Sequence, residues 1–297
     1  MSIAKVVVTG GSGRVGQHVV KKISSSFNVV NADLHDADCF PSNVDYVNVD
    51  VLDIGMVRNA LEGADAVIHL AALDFDWQCE PERYIDVNVR GTWHVLQAAQ
   101  EHGIKKVILC SSISACGLSE MRNNWQPQYL PVDESHENKP VDAYSVSKIV
   151  MEQIGKSFAD SGSMDVICLR PLAVVLEDTV ENYIKFVDDP DRHWLFYYVT
   201  AEDVASAFDA ALKVQGINFG VFFLSADDTS HAEPTLKWYE NNFGSLPKLK
   251  NPKKYYDNPR ASIFSSLKAK ELLGWKPSSD FSLIREKVAQ DKISIDS

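Results

Sequence analysis

Residues 5–16 read Lys-Val-Val-Val-Thr-Gly-Gly-Ser-Gly-Arg-Val-Gly, an apolar run followed by closely spaced glycines. The valines at 6–8 predict a β-strand, and Val15, Val19 and Ile23 then recur at helical spacing. A glycine-rich turn between a strand and a helix lets backbone N–H groups approach a pyrophosphate closely, and the helix N-terminus adds a partial positive charge. The stretch therefore predicts a phosphate-binding turn between the first strand and the first helix.

An acidic residue stands where this interpretation requires one. A second apolar run, Val29 to Ala32, ends at Asp33, about 20 residues after the glycines. The alternative interpretation is a glycine-rich turn that binds no ligand. The motif is distinguished from such a turn by the strand before the glycines, the helix after them and this acidic residue. A carboxylate here accepts hydrogen bonds from both ribose hydroxyls and repels a 2′-phosphate. No arginine follows to receive a phosphate, so the sequence predicts NAD rather than NADP.

Strand-like and helix-like patterns alternate along the rest of the chain. Further strand-like runs lie at about residues 46–51, 66–72, 106–112, 165–170 and 221–225. Such alternation predicts an α/β fold with a parallel sheet covered on both faces. An eight-stranded barrel is the rival architecture, but the glycine motif is typical of an open sheet. We therefore expect a Rossmann-type doubly wound parallel sheet with a small C-terminal substrate-binding part.

The domain boundaries are expected to interleave. Residues 1–170 form the predicted NAD-binding domain, and residues 196–225 return to it. Residues 171–195 and 226–297 form the predicted substrate-binding part. Within the first domain, one long helix is expected from Pro81 to Ala99, with Gly91 retained in its middle for close packing or function. A second helix, between Asp142 and Gly162, is expected to bury an apolar face. That face comprises Val146, Ile149, Val150, Ile154 and Phe158.

Composition limits the classes of partner. The 297 residues carry 29 Lys and Arg against 41 Asp and Glu, a formal net charge of −12, which disfavours nucleic acid and anionic lipid. No apolar run approaches the roughly 18 residues of a membrane span, and no signal-peptide pattern is visible, so we expect a cytoplasmic protein. The five cysteines form no CxxC pair and the eight histidines no metal-binding spacing. We therefore expect reduced thiols, no metal site, and a strand histidine at His69 that is packed in the core.

Three side chains could carry chemistry together. Ser112 stands at the predicted end of a strand, and Tyr144 and Lys148 are spaced to share one side of a helix. A tyrosine with its ordinary pKa of about 10 is a poor base, and a neighbouring ammonium with the positive ring of an oxidised nicotinamide would lower that pKa. We expect hydride transfer, with Ser112 holding the substrate oxygen and Tyr144 exchanging its proton. The alternative is an exposed helix start without catalytic function.

The sequence resembles the extended short-chain dehydrogenases/reductases, the NAD-dependent epimerase/dehydratase group, over nearly its whole length. The resemblance rests on the glycine motif of residues 9–16, Asn88-Val-Arg-Gly-Thr, Tyr144-x-x-x-Lys148 and Arg170-Pro171. It implies a catalytic triad of Ser112, Tyr144 and Lys148 and a homodimer formed through the two helices that carry Asn88 and Tyr144. The implied cofactor-binding set is Gly10, Gly13, Arg14, Val15, Gly16, Asp33, Asp50, Val51, Leu70, Ala71, Ala72, Asn88, Tyr144, Lys148 and Pro171. For Asp50 the residue pattern alone leaves a second interpretation open, a carboxylate that merely solvates a strand end.

Departures from the group's motifs narrow the expected activity. Dehydratases of the group resemble one another in a Thr-Asp-Glu site where this chain has Ser112-Ile113-Ser114, so a dehydratase is not expected. Residues 115–117 and 172–176 also lack the epimerases' usual motifs. The short C-terminal part is similar in layout to uronate and sugar-acid dehydrogenases. The expected substrate contacts are Ser112, Ile113, Ser114 and Arg192, the last as a carboxylate clamp or, alternatively, a solvated loop charge.

Three functions stay open on the sequence. The first is an NAD-dependent dehydrogenase acting on a hydroxyl of a small sugar or sugar acid. The second is a nucleotide-sugar epimerase with tightly bound NAD. The third is a regulatory protein that senses NAD without turnover, for which the tyrosine and lysine would have no purpose.

Overall fold

The seven strands of the central sheet are all parallel in the described part of the chain. A computed structural model describes residues 3–37, 39–75, 78–118, 125–189 and 197–295. The strands are β1 (Lys5–Thr9), β2 (Asn28–Asp33), β3 (Val44–Asn48), β4 (Ala66–His69), β5 (Lys106–Cys110), β7 (Asp165–Pro171) and β10 (Phe219–Leu224). Their spatial order is β10-β7-β5-β4-β1-β2-β3. The order reverses between β1 and β4, which is the position at which open α/β sheets bind ligands.

Helices and two short strand pairs complete the described chain. The helices are α1 (Arg14–Ile23), α2 (Ile54–Leu61), α3 (Glu82–Tyr84), α4 (Gly91–Glu101), α5 (Ala143–Asp160), α6 (Val180–Val187), α7 (Ala201–Lys213), α8 (Thr235–Phe243), α9 (Pro252–Asp257), α10 (Leu267–Leu272) and α11 (Phe281–Ile295). Strand β6 (Tyr129–Leu130) pairs with β11 (Lys248–Leu249), and β8 (Val174–Val175) pairs with β9 (Val199–Thr200).

The predicted fold class is confirmed. The strand-like runs of the sequence form the sheet in the expected positions, although several strands are shorter than the runs. The sheet is open and flanked by helices on both faces, which excludes the eight-stranded barrel. Val6 and Val8 pack on the face covered by α1 and α7, whereas Val7 packs on the opposite face. This alternation arises because successive side chains of a strand point to opposite faces, and both faces here are buried.

A third hydrophobic cluster forms the core of the C-terminal part. It contains Trp238, Tyr239 and Phe264, and it also includes residues between Ile113 and Val132. By contrast, Trp275 packs with the helices that cover the sheet, and its indole N–H donates to Asp203 of α7. The core of the C-terminal part thus includes residues that were predicted to belong to the NAD-binding domain. Conversely, part of residues 226–297 packs on the sheet domain. The predicted division itself stays a prediction.

The helix expected from Pro81 to Ala99 has three segments. A π-helix, Ile85–Arg90, lies between α3 and α4. Gly91 follows it directly, and a Cβ atom there would lie 2.8 Å from Val51 Cγ2. Close packing against the segment after β3 therefore requires glycine at this position. π-helical turns occur often at functional sites, and this one carries Asn88.

The buried face of α5 differs from the apolar face expected between Asp142 and Gly162. Val146, Ile149 and Val150 are only partly buried. Ile154 is partly buried as well, whereas Phe158 is buried as expected and packs with Met151 and Ala159 in a hydrophobic cluster. The rest of the buried side carries small, polar and charged residues. These include Tyr144, Ser145, Ser147, Lys148, Glu152 and Gly155. The expectation followed hydrophobicity, but this face packs around a polar site whose groups find hydrogen-bond partners inside the protein.

His69 is fully buried at the end of β4, as expected. Its Nδ1 lies 2.7 Å from Thr9 Oγ1, and its Nε2 lies 3.1 Å from Thr92 Oγ1. Thr92 donates its own hydroxyl proton to the Asn88 carbonyl, so His69 must be the donor at Nε2 and the acceptor at Nδ1. The network thereby selects one neutral tautomer, and burial lowers the pKa of His69 to about 3.

This histidine gives a pH-dependent contribution to stability. The unfolded chain, with a histidine pKa of about 6.5, binds the proton that the folded protein excludes. Stability therefore falls as the pH is lowered from about 6.5 towards about 3, by up to about 1.4 kcal/mol per pH unit from this group. We expect His69→Gln to have a shallower pH dependence in denaturant unfolding, and His102→Gln, at an exposed position, to keep the original slope. Equal slopes in all three proteins would contradict the assignment.

Among the described residues, no helix combines the length and hydropathy needed to cross a bilayer. The same part of the chain holds no group of three or more His, Cys, Asp or Glu side chains arranged for a metal ion.

Candidate active site

The glycine turn, residues 9–16, is packed too tightly for side chains at two of its positions. Gly10 has φ of +74°, and a Cβ atom on it would lie 2.3 Å from the Ala71 nitrogen. A Cβ atom on Gly16 would lie 2.2 Å from the Gly10 carbonyl oxygen. Gly13 caps α1 without any side-chain hydrogen bond. The first turn of α1, which holds Arg14 and Val15, can therefore offer its N–H groups to an anion.

The predicted ribose-binding acid lies beside this turn. Asp33 ends β2, and its carboxylate accepts from the backbone N–H of Ser12 at 2.9 Å and of Leu34 at 2.7 Å. Neighbouring Asn31 of the same strand donates to the Ser12 hydroxyl at 2.9 Å. The Asp33 side chain is only partly buried, so its remaining acceptor positions are open to ribose hydroxyls. Sequence reasoning missed Asn31, although a polar residue in an apolar strand was a visible signal.

Asp50 and Val51 follow β3 and lie near α4. The Asp50 carboxylate accepts from the Leu52 N–H at 2.8 Å, so it shapes the turn in which it stands. Val51 is buried, and its carbonyl oxygen lies 2.8 Å from His94 Nδ1. The bond to Leu52 gives Asp50 a local structural role after β3. Its contact with the adenine of the cofactor stays a prediction.

The loop after β4 connects the glycine turn to the catalytic residues. Leu70 and Ala71 both donate their N–H groups to the Thr9 carbonyl. Asn88 is fully buried, and its amide accepts from the Leu73 N–H at 2.8 Å and donates to the Leu73 carbonyl at 3.1 Å. Asn88 therefore fixes the position of this loop, which also contains Ala72.

Ser112, Tyr144 and Lys148 lie close together in the structure, and their catalytic role stays a prediction. Ser112 follows β5 and caps a short 3₁₀-helix, Ile113–Cys116, by accepting from the Ser114 N–H at 3.1 Å. Asp142 caps α5, which places Tyr144 in its first turn with the phenol near the Ser112 hydroxyl. The Lys148 ammonium lies 5.6 Å from the centre of the Tyr144 ring and donates to the Cys110 carbonyl at 2.9 Å. All three catalytic candidates are at most 9% exposed.

The protein alone does not lower the pKa of the tyrosine. Burial and the Asp74 carboxylate raise the pKa of Tyr144, and the interaction with the Ser112 hydroxyl lowers it. Burial also lowers the pKa of Lys148, because removal from water disfavours the ammonium. The lowering expected from the sequence therefore needs further positive charge, and the proposed source is the oxidised nicotinamide ring.

A buried ion pair that sequence reasoning did not identify supports the site from below. Arg170, in β7, donates to both carboxylate oxygens of Glu152 at 2.7 and 2.6 Å. The Ser111 hydroxyl donates to the same carboxylate at 2.5 Å. Glu152 lies one helical turn beyond Lys148, so its position on the tyrosine-lysine face was the available signal. The pair connects β5, α5 and β7 directly beneath Ser112 and leaves Pro171, the last residue of β7, buried at the sheet end.

The structure describes some of the expected substrate-contacting residues but not all of them. Ser114 is buried next to Ser112, whereas the Ile113 side chain packs in the hydrophobic cluster of the C-terminal part. A contact from Ile113 would therefore come from its backbone. Arg192 lies outside the described residues.

The tight glycine turn, the uncapped start of α1 and the carboxylate at the end of β2 fit a dinucleotide. Fold and site thus define a dinucleotide-binding protein of the doubly wound class. The chain belongs to the NAD dependent epimerase/dehydratase family, whose model matches residues 6–220. NAD is therefore its cofactor, as predicted.

Relatives of this chain include both epimerases and dehydrogenases. The chain is 27% identical over 305 residues to a putative UDP-glucose 4-epimerase of Methanocaldococcus jannaschii, covering 93% of this chain and 94% of that protein. It is 29% identical over 245 residues to an L-arabinose 1-dehydrogenase (NAD(P)(+)) of Haloferax volcanii, covering 78% and 92%. Its fold resembles that of Agrobacterium tumefaciens uronate dehydrogenase, solved as a mutant complexed with NAD. For that structure the TM-score is 0.69 at 15% identity, with coverage of 97% and 90%.

Proposed function

We propose that this protein is an NAD-dependent dehydrogenase that oxidises a hydroxyl group of a small sugar or sugar acid. The observation that carries the proposal is the convergence of the Ser112, Tyr144 and Lys148 side chains at the carboxyl end of β5, beside the loop that touches the glycine turn. A sensor of NAD would have no use for these groups. The sugar dehydrogenase of Haloferax volcanii among the relatives supports the substrate class.

The residues have separate roles in the proposed reaction. The glycine turn and the start of α1 hold the pyrophosphate of NAD, and Asp33 holds the adenosine ribose. When bound, NAD supplies an acceptor for the hydride of the carbinol carbon. Ser112 donates to the substrate oxygen and fixes its position. The Lys148 ammonium would stabilise Tyr144 as a phenolate, and this phenolate accepts the hydroxyl proton as the carbonyl forms and becomes a neutral phenol.

The test is a screen of the purified protein with NAD and a panel of aldoses and sugar acids. We expect substrate-dependent NADH absorbance with at least one of them. The control is the same panel without protein. Absence of NADH across the panel, with NAD shown to bind, would overturn the dehydrogenase assignment.

A nucleotide-sugar epimerase is the second candidate. Its support is the match to the putative UDP-glucose 4-epimerase over nearly the full length of both chains. We expect an enzyme of this kind to retain NAD through purification and to be stabilised thermally by UDP-sugars. Interconversion of UDP-glucose and UDP-galactose without net NADH would establish it in place of the dehydrogenase.

Asp33 is expected to decide between the two dinucleotides. Charge-assisted hydrogen bonds of this kind contribute about 1.5–3 kcal/mol, so Asp33→Ala should weaken NAD binding by about ten- to hundredfold. The same change removes the repulsion of a 2′-phosphate, so the preference for NAD over NADP should become smaller. Binding can be measured by calorimetry, with Asp36→Ala, at an exposed neighbouring position, as the control. Equal binding of NADP and NAD by the unmutated protein would show that Asp33 does not discriminate.

We also propose a homodimer formed through the outer face of α4 and α5. Trp93 of α4 and Ile85 of the preceding π-helix are 47% and 42% exposed in the single chain, and Val146 and Ile149 of α5 are partly buried. Such a patch is suited to a partner surface. Light scattering coupled to gel filtration should give twice the chain mass, and Trp93→Glu should shift it towards the monomer. A monomeric unmutated protein would exclude the dimer.

A further inference from the structure

Two side chains from the 82–90 helical segment hold residues 73–75 against the active site. Asn88 bonds both the N–H and the carbonyl of Leu73. The Tyr84 hydroxyl lies 2.9 Å from the Asp74 carbonyl oxygen and 3.3 Å from that of Phe75. The Tyr84 ring also packs edge-on against the Tyr144 ring, with centroids 5.8 Å apart. The backbone of this loop is therefore fixed with respect to the catalytic tyrosine.

The Asp74 side chain lies at the reacting end of the site. The loop begins where Ala71 contacts Gly10 and ends beside Tyr144. The Phe75 N–H donates to Asp74 Oδ1 at 2.8 Å, which orients the carboxylate. Its other oxygen stays able to accept, and the residue is exposed. Together with burial, the charge of the carboxylate raises the pKa of Tyr144, and the Asp74 backbone is held by Tyr84, whose ring packs on that of Tyr144.

An aromatic ring completes this side of the site. The Phe75 ring is 6.3 Å from the Tyr144 ring, tilted by 55°, and Phe75 is 69% exposed. A phenyl group beside a carboxylate offers an apolar surface for the C–H groups of a sugar ring and an acceptor for its hydroxyls. Such a combination is suited to a neutral carbohydrate.

The described residues include two cations at the site. Each of them already has a partner within the protein, so neither is placed to bind an anionic substrate. The Lys148 ammonium is buried and donates to the Cys110 carbonyl. The Arg170 guanidinium is buried in its pair with Glu152. The Asp74 carboxylate attracts the Lys148 ammonium through space, which partly offsets the lowering of its pKa by burial, but both cations already have protein partners.

We propose that Asp74 is a specificity-determining residue that selects neutral, hydroxyl-rich sugars and rejects sugars that carry a carboxylate or phosphate group. The proposal rests on the dehydrogenase function proposed above and narrows its substrate class. A sugar hydroxyl donates to the carboxylate, whereas a second anion in the same partly desolvated site is repelled. Discrimination by an unfavourable charge contact is a common basis of specificity.

The test uses pairs of sugars with the same ring, one member of which carries an anionic group at C6: galactose with galacturonate, glucose with glucuronate, and glucose with glucose 6-phosphate. With NAD, we expect kcat/KM of the unmutated protein to favour the neutral member at least about tenfold. Asp74→Asn should reduce that ratio about tenfold, and Asp74→Glu should retain it. Asp45→Asn, the same charge change on the exposed edge strand β3, should leave it unchanged. Because any effect on proton transfer acts on both members of a pair, it cancels in the ratio.

Binding to the NAD-loaded protein, measured by calorimetry with the same pairs, separates this inference from the dehydrogenase proposal. Preferential binding of neutral sugars that Asp74→Asn abolishes would support the inference even if no NADH formed, an outcome that would overturn only the dehydrogenase. Anionic sugars bound or oxidised as well as neutral ones, an unaltered ratio in Asp74→Asn, or no binding of any sugar would overturn it.

Discussion

Replacing Tyr144 by phenylalanine should lower kcat for sugar oxidation by about 10²–10⁴-fold and leave NAD affinity nearly unchanged. A positioned proton acceptor contributes about this factor, and the substitution removes only the hydroxyl that would accept the proton. The ring contacts with Tyr84 and Phe75 stay, so the site should keep its shape. Steady-state kinetics and calorimetric titration with NAD measure the two quantities.

The matched control for this variant is Tyr256→Phe, because Tyr256 is 85% exposed and has no part in the proposed mechanism. It should retain full activity. Turnover by Tyr144→Phe at the rate of the unmutated enzyme would remove the tyrosine from the mechanism. Loss of NAD binding together with activity would indicate instead that the hydroxyl supports the cofactor site.

Replacing Glu152 by glutamine should destabilise the protein by about 3–5 kcal/mol, because it leaves the Arg170 guanidinium buried without a countercharge. Glu152 and Arg170 are both 2% exposed. The variant also weakens the bond from Ser111, the residue before the proposed catalytic residue Ser112. The change in the free energy of unfolding is read from the denaturant midpoint at unchanged slope.

The chain provides a matched surface pair for comparison. Arg58 and Glu101 make a similar two-point contact, at 2.7 and 2.9 Å, but their side chains are 42% and 40% exposed. Glu101→Gln should therefore change the free energy of unfolding far less than Glu152→Gln, since solvent screens an exposed pair. Similar losses in the two variants would show that burial of the Glu152 pair does not determine its contribution.

Much of the fold followed from local patterns. The strands inside the sheet are mostly apolar runs because both of their faces are buried, and glycine spacing marks the turn at which backbone approaches an anion. Asp142, from which a helix was expected, caps the start of α5. Strand ends were less accurate, because buried apolar residues continue past the last residue of the strand, as at Val49 and Val51 after β3.

The sequence by itself determined the open α/β fold, the NAD cofactor and the candidates Ser112, Tyr144 and Lys148, because each depends on residues close together in the chain or on a fixed motif. Only the tertiary structure showed that Glu152 neutralises Arg170, that Asn88 holds the loop after β4, and that the loop at Asp74 and Phe75 lies beside Tyr144. The last of these contacts joins residues about 70 positions apart in sequence. The packing of the sheet and helices determines which polar residues at such separations come into contact. Local sequence periodicity carries no information about these contacts.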